Sequence, residues 1–187
     1  QDQLDVASDK CKDQSNVELI CTTADEINIE DASCDKITAT QTLEYIEDID
    51  TSLKEIKRIS KTNSKFVNVS ILWDYFRFYG PEKETNDLIH EAFRAHCFHQ
   101  MLPLDLNGKL KKLGYKNISS QNLSYLITNR DNNSPAIFYE TMLSKFALSQ
   151  GVSEDKVDDW KKQLNKSEKV GNFGFTSFPV LTAAYLG

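Results

Sequence analysis

The sequence predicts an α/β fold built around a parallel pair of strands. Residues 35–40 and 65–72 are short segments rich in β-forming side chains, and the second is apolar in its middle. Between them, residues 49–59 repeat apolar side chains at helical spacing. A strand, a helix and a strand with short connections form a right-handed crossover, so the two strands should be parallel. The length of 187 residues and a hydrophobic content of 40% suit one globular domain.

The N-terminal third adds a helix, a strand and a loop to this unit. Residues 5–12 are polar and compatible with the end of a helix, and residues 17–22 have the composition of a short strand. Residues 22–33 form a polar loop before the strand at 35–40. Asp50 is the expected N-cap of the following helix, because a short carboxylate side chain can accept hydrogen bonds from the first free backbone N–H groups.

The middle of the chain is predicted to be mainly helical. After Gly80 and Pro81 the apolar pattern is helical to about His99. Residues 106–113 form a second helix, which Gly114 ends at the C′ position. Residues 117–128 then have the composition of a strand.

The C-terminal part contains two helices and a last strand. Ser134 and Pro135 supply a cap and a first-turn proline for a helix over 134–150, and Ser153 caps another over 153–169. Residues 173–185 are a strand that Pro179 should bend or place at an edge. We expect it to pair antiparallel with residues 117–128. No linker divides the chain, which favours a single domain with a helical insertion at about 134–170.

Composition excludes several classes of function. Lys and Arg number 22 against 28 Asp and Glu, and a net charge of −6 argues against non-specific binding to nucleic acid or to an anionic membrane. No apolar run reaches the roughly 18 residues of a membrane span, and no signal peptide is visible, so a cytoplasmic location is expected. The four cysteines have no C-x-x-C spacing and the three histidines complete no zinc pattern, so we expect reduced thiols and no metal site.

Residues 17–69 carry a more specific pattern. In order, they contain a strand, a loop, a strand, a short helix with an E-x-x-R motif, a turn and another strand. This order and its spacing resemble the middle of class I S-adenosylmethionine-dependent methyltransferases. The matching residues are Ala24, Asp31, Ser33, Asp35, Leu43, Glu44, Tyr45, Asp48, Leu53, Glu55, Ile56, Lys57, Arg58, Ile59 and Phe66. A weaker likeness continues through Trp73-Asp74, Gly80-Pro81 and the LKKLGY segment at 110–115.

The resemblance implies a Rossmann-like sheet with helices on both faces and an antiparallel last strand. It also implies S-adenosylmethionine as cofactor and a small-molecule methyl acceptor. The sequence departs from the family at its start, because the first of its seven glycines is Gly80 and no glycine-rich cofactor loop precedes it. By this alignment Gln1 falls just past the family's second strand, so the given sequence resembles a family member without its first two strands. Thr23-Ala24 also replaces the family's Asp-Ala pair, and residues 61–64 replace its K-P-G-G turn.

The resemblance places cofactor contacts in two loops at the carboxyl ends of strands, the edge where ligands bind in open α/β sheets. One loop would hold the adenine and the other the methionine part of the cofactor. The competing interpretations are an ordinary polar connection for the first loop and a solvated helix charge for Glu44. The residues are Thr23, Ala24 and Asp25 in the first loop, and Thr40, Gln41 and Glu44 in the second.

An aromatic run after the strand at 65–72 is the expected wall of the acceptor pocket, because a methyl acceptor must meet the sulfonium away from water. We assign acceptor contacts to Trp73, Asp74, Tyr75 and Arg77, and core packing to Phe76 and Phe78. His99 is a further candidate, since histidine can act as a general base near neutral pH. For His96 and His99 a plain polar helix face is the competing interpretation.

Two other functions are compatible with the sequence. The chain could be a non-catalytic methyltransferase-like fragment that serves as a binding or interaction module. It could also be a nucleotide-binding oxidoreductase, against which the absence of a G-x-G-x-x-G motif and the methyltransferase spacing both count. The sequence identifies neither the acceptor nor the oligomeric state.

Overall fold

A computed structural model describes residues 2–131 and 134–187 as helices packed against two β-sheets. The elements in chain order are α1 (Asp2–Cys11), β1 (Cys34–Thr40), α2 (Ile49–Ile59), β2 (Ser60–Ile71), β3 (Arg77–Tyr79), α3 (Lys83–Phe93), α4 (Leu102–Lys112), β4 (Tyr115–Asn122), β5 (Tyr125–Ile127), α5 (Pro135–Ser149), α6 (Glu154–Lys169), β6 (Gly174–Ser177) and β7 (Pro179–Leu186). Gln1, which the alignment placed just past a strand, lies outside the described residues.

The larger sheet confirms the predicted topology. Its strand order is β1-β2-β7-β4, with β1 and β2 parallel and β7 antiparallel to both of its neighbours. Helix α2 makes the crossover between the parallel strands. It packs Leu53 and Ile56 into a core that also holds Phe66 of β2 and Leu106 and Leu110 of α4.

The predicted closing hairpin is present but divided between two sheets. Strand β4 pairs with β7 in the larger sheet, while β5 pairs with β6 in a smaller sheet of order β3-β6-β5. The break falls at Phe178, directly before Pro179, which begins β7 and has no backbone N–H to donate to a ladder. Opposite it, Leu123 donates its N–H to the carbonyl of Pro179 at 2.9 Å, and Ser124 donates to the side chain of Asn122 at 2.8 Å. The bend predicted at Pro179 is therefore confirmed.

The prediction of a strand over residues 17–22 is wrong. These residues form no strand, and Val17 and Leu19 are each 43% exposed. A strand needs a neighbour that completes its backbone hydrogen bonds, and this segment pairs with no strand among the described residues.

Two smaller corrections concern the ends of helices. The N-cap of α2 is Asp48 rather than Asp50, since Asp48 Oδ1 accepts from the N–H of Thr51 at 3.0 Å. Helix α3 ends at Phe93, and a 3-10 turn over Arg94–His96 follows it. Strand β1 is an edge strand in the described part of the chain. Its exposed residues are polar: Asp35, Lys36, Thr38 and Thr40.

Helices α5 and α6 belong to the core that surrounds Trp73. This cluster contains Trp73 and Phe175 together with Leu143 and Ala147 of α5 and Trp160 of α6. The two helices therefore contribute to the same apolar cluster as Trp73. No helix in 2–131 or 134–187 is long and apolar enough to cross a membrane.

Candidate functional site

The carboxyl ends of β1 and β2 lie side by side and carry the predicted cofactor loop. Thr40 is paired with Val69, and the next residue, Gln41, donates its N–H to the carbonyl of Val69 at 2.7 Å. Gln41 has φ of +46°, a conformation that costs energy for a residue with a Cβ and is common where a chain turns at a functional site. A 3-10 turn over Leu43–Tyr45 follows at once.

A short segment, Cys97–Gln100, crosses both strand ends, and we call it the strap. Its Phe98 and His99 N–H groups both donate to the carbonyl of Glu44, at 3.0 and 3.1 Å. Its Gln100 carbonyl accepts from the N–H of Trp73 at 2.9 Å. The strap therefore joins the loop after β1 to the start of the aromatic run after β2.

His99 lies against the cofactor loop. Its Nε2 is 2.9 Å from the carbonyl of Ile46, so this nitrogen carries the proton and donates it. The structure thus brings His99 and Glu44 together through the strap. His99 is not among the residues that line the pocket described below.

Glu44 is completely buried, which excludes the solvated helix charge considered above. Its Oε2 accepts from the hydroxyl of Ser70 at 2.9 Å, while Oε1 has no hydrogen-bond partner among the described residues. Burial raises the pKa of this carboxyl, because desolvation disfavours its charged form.

The aromatic run borders a pocket of about 620 Å³, a size typical of small-molecule sites. Trp73, Asp74 and Arg77 line it together with Phe76 and Phe93. Three of the predicted acceptor residues thus share one cavity with an aromatic floor.

Tyr75 does not belong to this cavity. It is 51% exposed, and its ring lies 5.4 Å from that of Phe178. Phe76 and Phe78 are 2% and 0% exposed, which confirms the expected core packing. Phe76 nevertheless also reaches the pocket wall.

Ion pairs hold the charged residues at the pocket rim. Arg94 pairs with Asp74, and Arg77 pairs with Asp87. The pKa of Asp87 is lowered by its hydrogen bonds to Lys83 and Arg77. Because the rim carries both signs of charge, it can meet polar groups of a ligand whose apolar part lies on the aromatic floor.

Two half-buried titratable groups near the strap, His96 and Cys97, are neutral at pH 7. Burial lowers the pKa of His96, whose Nδ1 lies 2.6 Å from the carbonyl of Phe93 and whose Nε2 has no partner in the described structure. Burial and then the nearby Glu44 raise the pKa of Cys97 to about 12, so its thiol is protonated and a poor nucleophile. The His96 ring lies 4.3 Å from that of Trp73. These groups supply an apolar wall, which suits a reaction that depends on alignment and exclusion of water.

Thr23 and Asp25 lie in a different place from Gln41. They border a groove with Glu55 and Arg58 in the last turns of α2. The end of α2 adjoins the amino end of β2, whereas Gln41 follows the carboxyl end of β1. Ala24 is partly buried in the same turn, in which Glu26 donates its N–H to the Thr23 carbonyl at 3.4 Å. The adenine contact assigned to Thr23, Ala24 and Asp25 stays a prediction.

The E-x-x-R motif fixes the loop before β1. Arg58 binds Glu55 through Nε at 2.8 Å and NH2 at 2.7 Å, and it donates to the carbonyls of Ile27 and Ile29 at 2.9 and 3.0 Å. Glu55 Oε1 also accepts from the Ile27 N–H at 2.8 Å. These bonds lower the pKa of Glu55 to about 2.

Sequence reasoning missed Arg94 at the pocket rim and the strap residue Gln100. The sequence feature that indicated this part of the site was the helical spacing of Phe93 and His96, whose ring centroids lie 4.0 Å apart. Nothing in the sequence indicated that the backbone of Gln100 would bind Trp73.

Comparison with known proteins gives one family match and several similar folds. Residues 1–68 match the family described as methyltransferase domain. No curated protein sequence matches the chain. The YcgJ protein of Bacillus subtilis is 16% identical with a TM-score of 0.64, over 100% of this chain and 79% of that one.

Two further solved structures contain bound ligands. Phosphoethanolamine N-methyltransferase 2 from Haemonchus contortus, in complex with phosphomonomethylethanolamine and S-adenosylhomocysteine, is 16% identical with a TM-score of 0.55, over 98% of this chain and 41% of that one. Geranyl diphosphate C-methyltransferase from Streptomyces coelicolor, with Mg²⁺, geranyl diphosphate and S-adenosylhomocysteine, is 12% identical with a TM-score of 0.52, over 100% of this chain and 59% of that one.

These likenesses to solved structures concern the fold, and the family match concerns the first 68 residues. Residues 1–68 match the methyltransferase domain family, and the chain as a whole has a fold similar to those of solved S-adenosylmethionine-dependent methyltransferases.

Proposed function

We propose that this protein transfers a methyl group from S-adenosylmethionine to a small molecule bound against Trp73. The observation that carries the proposal is the meeting of two loops at one edge of a methyltransferase sheet. Gln41 follows β1 at that edge, Trp73 follows β2, and the strap joins the two loops. Ligands of open α/β sheets bind at this edge.

The residues of the edge fit part of the cofactor. Thr40 and Gln41 offer a hydroxyl and an amide where the family binds the methionine part, and Thr40 is exposed. Glu44 is enclosed by protein, so its part in binding is indirect. The cofactor, when bound, supplies the methyl group on a positively charged sulfur. The aromatic floor at Trp73, Phe76 and Phe93 then excludes water from the acceptor.

A small-molecule acceptor fits the pocket volume of about 620 Å³. The two ligand-bound methyltransferases of similar fold likewise hold small molecules, phosphomonomethylethanolamine and geranyl diphosphate. The mixed charges at Asp74, Arg77 and Arg94 suit an acceptor with polar substituents.

The test is binding and turnover with the complete product of the gene that encodes this chain. Titration calorimetry with S-adenosylhomocysteine should give a dissociation constant in the micromolar range. Incubation with S-adenosylmethionine labelled in its methyl group and a panel of small amines, alcohols and phosphorylated amines should label one class of acceptor. Absence of binding would overturn the proposal, and binding without any transfer would favour the alternative of a non-catalytic module. Trp73→Ala tests the pocket, and Tyr75→Ala is its matched control because Tyr75 lies outside the pocket.

A further inference from the structure

Glu44 stands where three parts of the site meet. It belongs to the 3-10 turn after β1, its side chain reaches Ser70 near the end of β2, and its carbonyl holds the strap. Among the predicted cofactor residues, it alone makes described contacts with all three parts.

The side chain of Glu44 is the end of a buried polar chain of three residues. Asn68 Nδ2 donates to Ser70 Oγ at 2.8 Å, and Ser70 Oγ donates to Glu44 Oε2 at 2.9 Å. Glu44, Asn68 and Ser70 are each 0% exposed. A buried polar chain of this kind holds its members in one arrangement, because each broken bond leaves a polar atom without a partner.

The strap carries this constraint to the pocket. Phe98 and His99 are fixed to the Glu44 carbonyl, and Gln100 binds the Trp73 N–H. The Gln100 side chain also donates to the Cys97 carbonyl at 3.0 Å, which closes the strap on itself. Displacement of Glu44 therefore shifts the backbone that holds Trp73.

We propose that Glu44 is a positioning residue that couples the cofactor loop to the acceptor pocket through the strap. The inference deepens the proposed function and rests on it for its meaning in catalysis. Glu44 acts through Phe98, His99 and Trp73, and its enclosed carboxyl has no direct contact with either ligand.

Three variants of the complete protein test the proposal. Glu44→Ala removes the bond to Ser70, while Glu44→Gln retains an oxygen acceptor of the same shape. Leu110→Ala is the control, because Leu110 is 0% exposed in the core beside α2 and α4 but lies outside the polar chain. Circular dichroism establishes a temperature at which all three remain folded.

The first readout is hydrogen exchange of single backbone amides. In Glu44→Ala, the amides of Phe98, His99 and Trp73 should exchange about tenfold faster or more, as expected for a locally loosened segment. Glu44→Gln and Leu110→Ala should retain the wild-type rates at these three amides relative to the rest of the chain. This readout requires no ligand, so it decides the coupling even if S-adenosylhomocysteine does not bind.

The second readout is the affinity for S-adenosylhomocysteine. Glu44→Ala should weaken binding about tenfold or more, because a misplaced binding loop loses several contacts together, and Glu44→Gln should bind within about twofold of wild type. Unchanged exchange and affinity in Glu44→Ala would overturn the inference. Equal losses of amide protection and of affinity in Leu110→Ala would also overturn the inference, since they would show that lower stability alone produces both effects.

Discussion

Single residues account for much of the acid sensitivity that we expect of this fold. His90 lies against Phe78 and Trp160, and its Nε2 accepts from the Phe78 N–H at 3.2 Å. Burial, and after it the charge of Arg77, lowers the pKa of His90 to about 3. The folded protein therefore holds this imidazole neutral.

The first prediction concerns pH and His90. The unfolded chain takes up a proton as the pH falls through about 6.5, whereas the folded chain does not do so until about pH 3. The contribution of His90 to the free energy of unfolding is therefore fully present above about pH 6.5 and is lost as the pH falls below that value. At pH 5 this loss is about 2 kcal/mol. Urea unfolding of the wild type and of His90→Gln at pH 5 and 7 measures the effect. An equally steep loss in His90→Gln would contradict it.

The second prediction concerns Arg58, which binds the loop before β1. Arg58→Ala should expose residues 23–31 to limited proteolysis, because the carbonyls of Ile27 and Ile29 lose their donor. Arg58→Lys should be cleaved at a rate between those of the wild type and Arg58→Ala, since an ammonium cannot reproduce the bidentate bond to Glu55. Lys57→Ala is the control on the exposed side of α2 and should leave cleavage unchanged.

At the scale of elements, the two serines before α5 and α6 differ in what they do. Ser134 Oγ accepts from the Ala136 N–H at 3.3 Å and donates to the Asn129 carbonyl at 3.0 Å. Ser153 makes no side-chain capping bond. The sequence predicts a cap at both places, and only the structure separates them.

The third prediction follows from that difference. Ser134→Ala should lower the free energy of unfolding by about 1 kcal/mol, the usual cost of losing an N-cap. Ser153→Ala should change it by less than about 0.5 kcal/mol, as is typical of surface substitutions. Chemical denaturation of the two variants gives the comparison directly, and similar losses in both would show that the Ser134 bonds contribute nothing.

At the scale of the whole molecule, the residues that the structure describes form two separate apolar clusters that stabilise the fold. One surrounds Phe66 between the larger sheet, α2 and α4, and the other surrounds Phe175 between the smaller sheet, α3, α5 and α6. Both phenylalanines are 0% exposed.

The fourth prediction tests whether the clusters are energetically independent. Phe66→Leu and Phe175→Leu should each cost about 1–2 kcal/mol, because each leaves a small cavity. The double variant should lose the sum of the two within about 0.5 kcal/mol, since the residues share no packing partners. A double-mutant cycle by urea unfolding measures the interaction. A coupling above about 1 kcal/mol would contradict the division into two clusters.

The fifth prediction concerns residues 1–187 as a ligand-binding unit. They should bind S-adenosylmethionine weakly or not at all, because the sequence holds no glycine-rich loop ahead of Gly80. Loss of charge-assisted bonds from such a loop and its acidic partner costs roughly 1.5–3 kcal/mol each, and every 1.4 kcal/mol is about tenfold in affinity. Micromolar binding in a calorimetric titration of these residues alone would contradict this view of the site.

Site residues could be predicted from the sequence where their position follows from neighbouring residues, and not where it depends on contacts with distant parts of the chain. Trp73, Asp74 and Arg77 share a pocket, as their position directly after a strand predicted. Tyr75 and His99 stand outside it. A run of five residues after a strand does not tell which side chains turn inward, and His99 is held by Ile46, far from it in sequence.

The sequence by itself determined the parallel β1–α2–β2 unit, the pairing of the last strands and the bend at Pro179, because hydrophobic periodicity and the missing proline N–H are local properties. Only the tertiary structure decided that residues 17–22 form no strand, since a strand exists only where a neighbour completes its hydrogen bonds. It also decided that Glu44 is buried. A carboxyl on a short turn is solvated unless other segments enclose it. Here Glu44 is enclosed by segments distant in sequence: its side chain bonds Ser70 of β2, and its backbone carbonyl bonds the strap, more than 50 residues later in the chain.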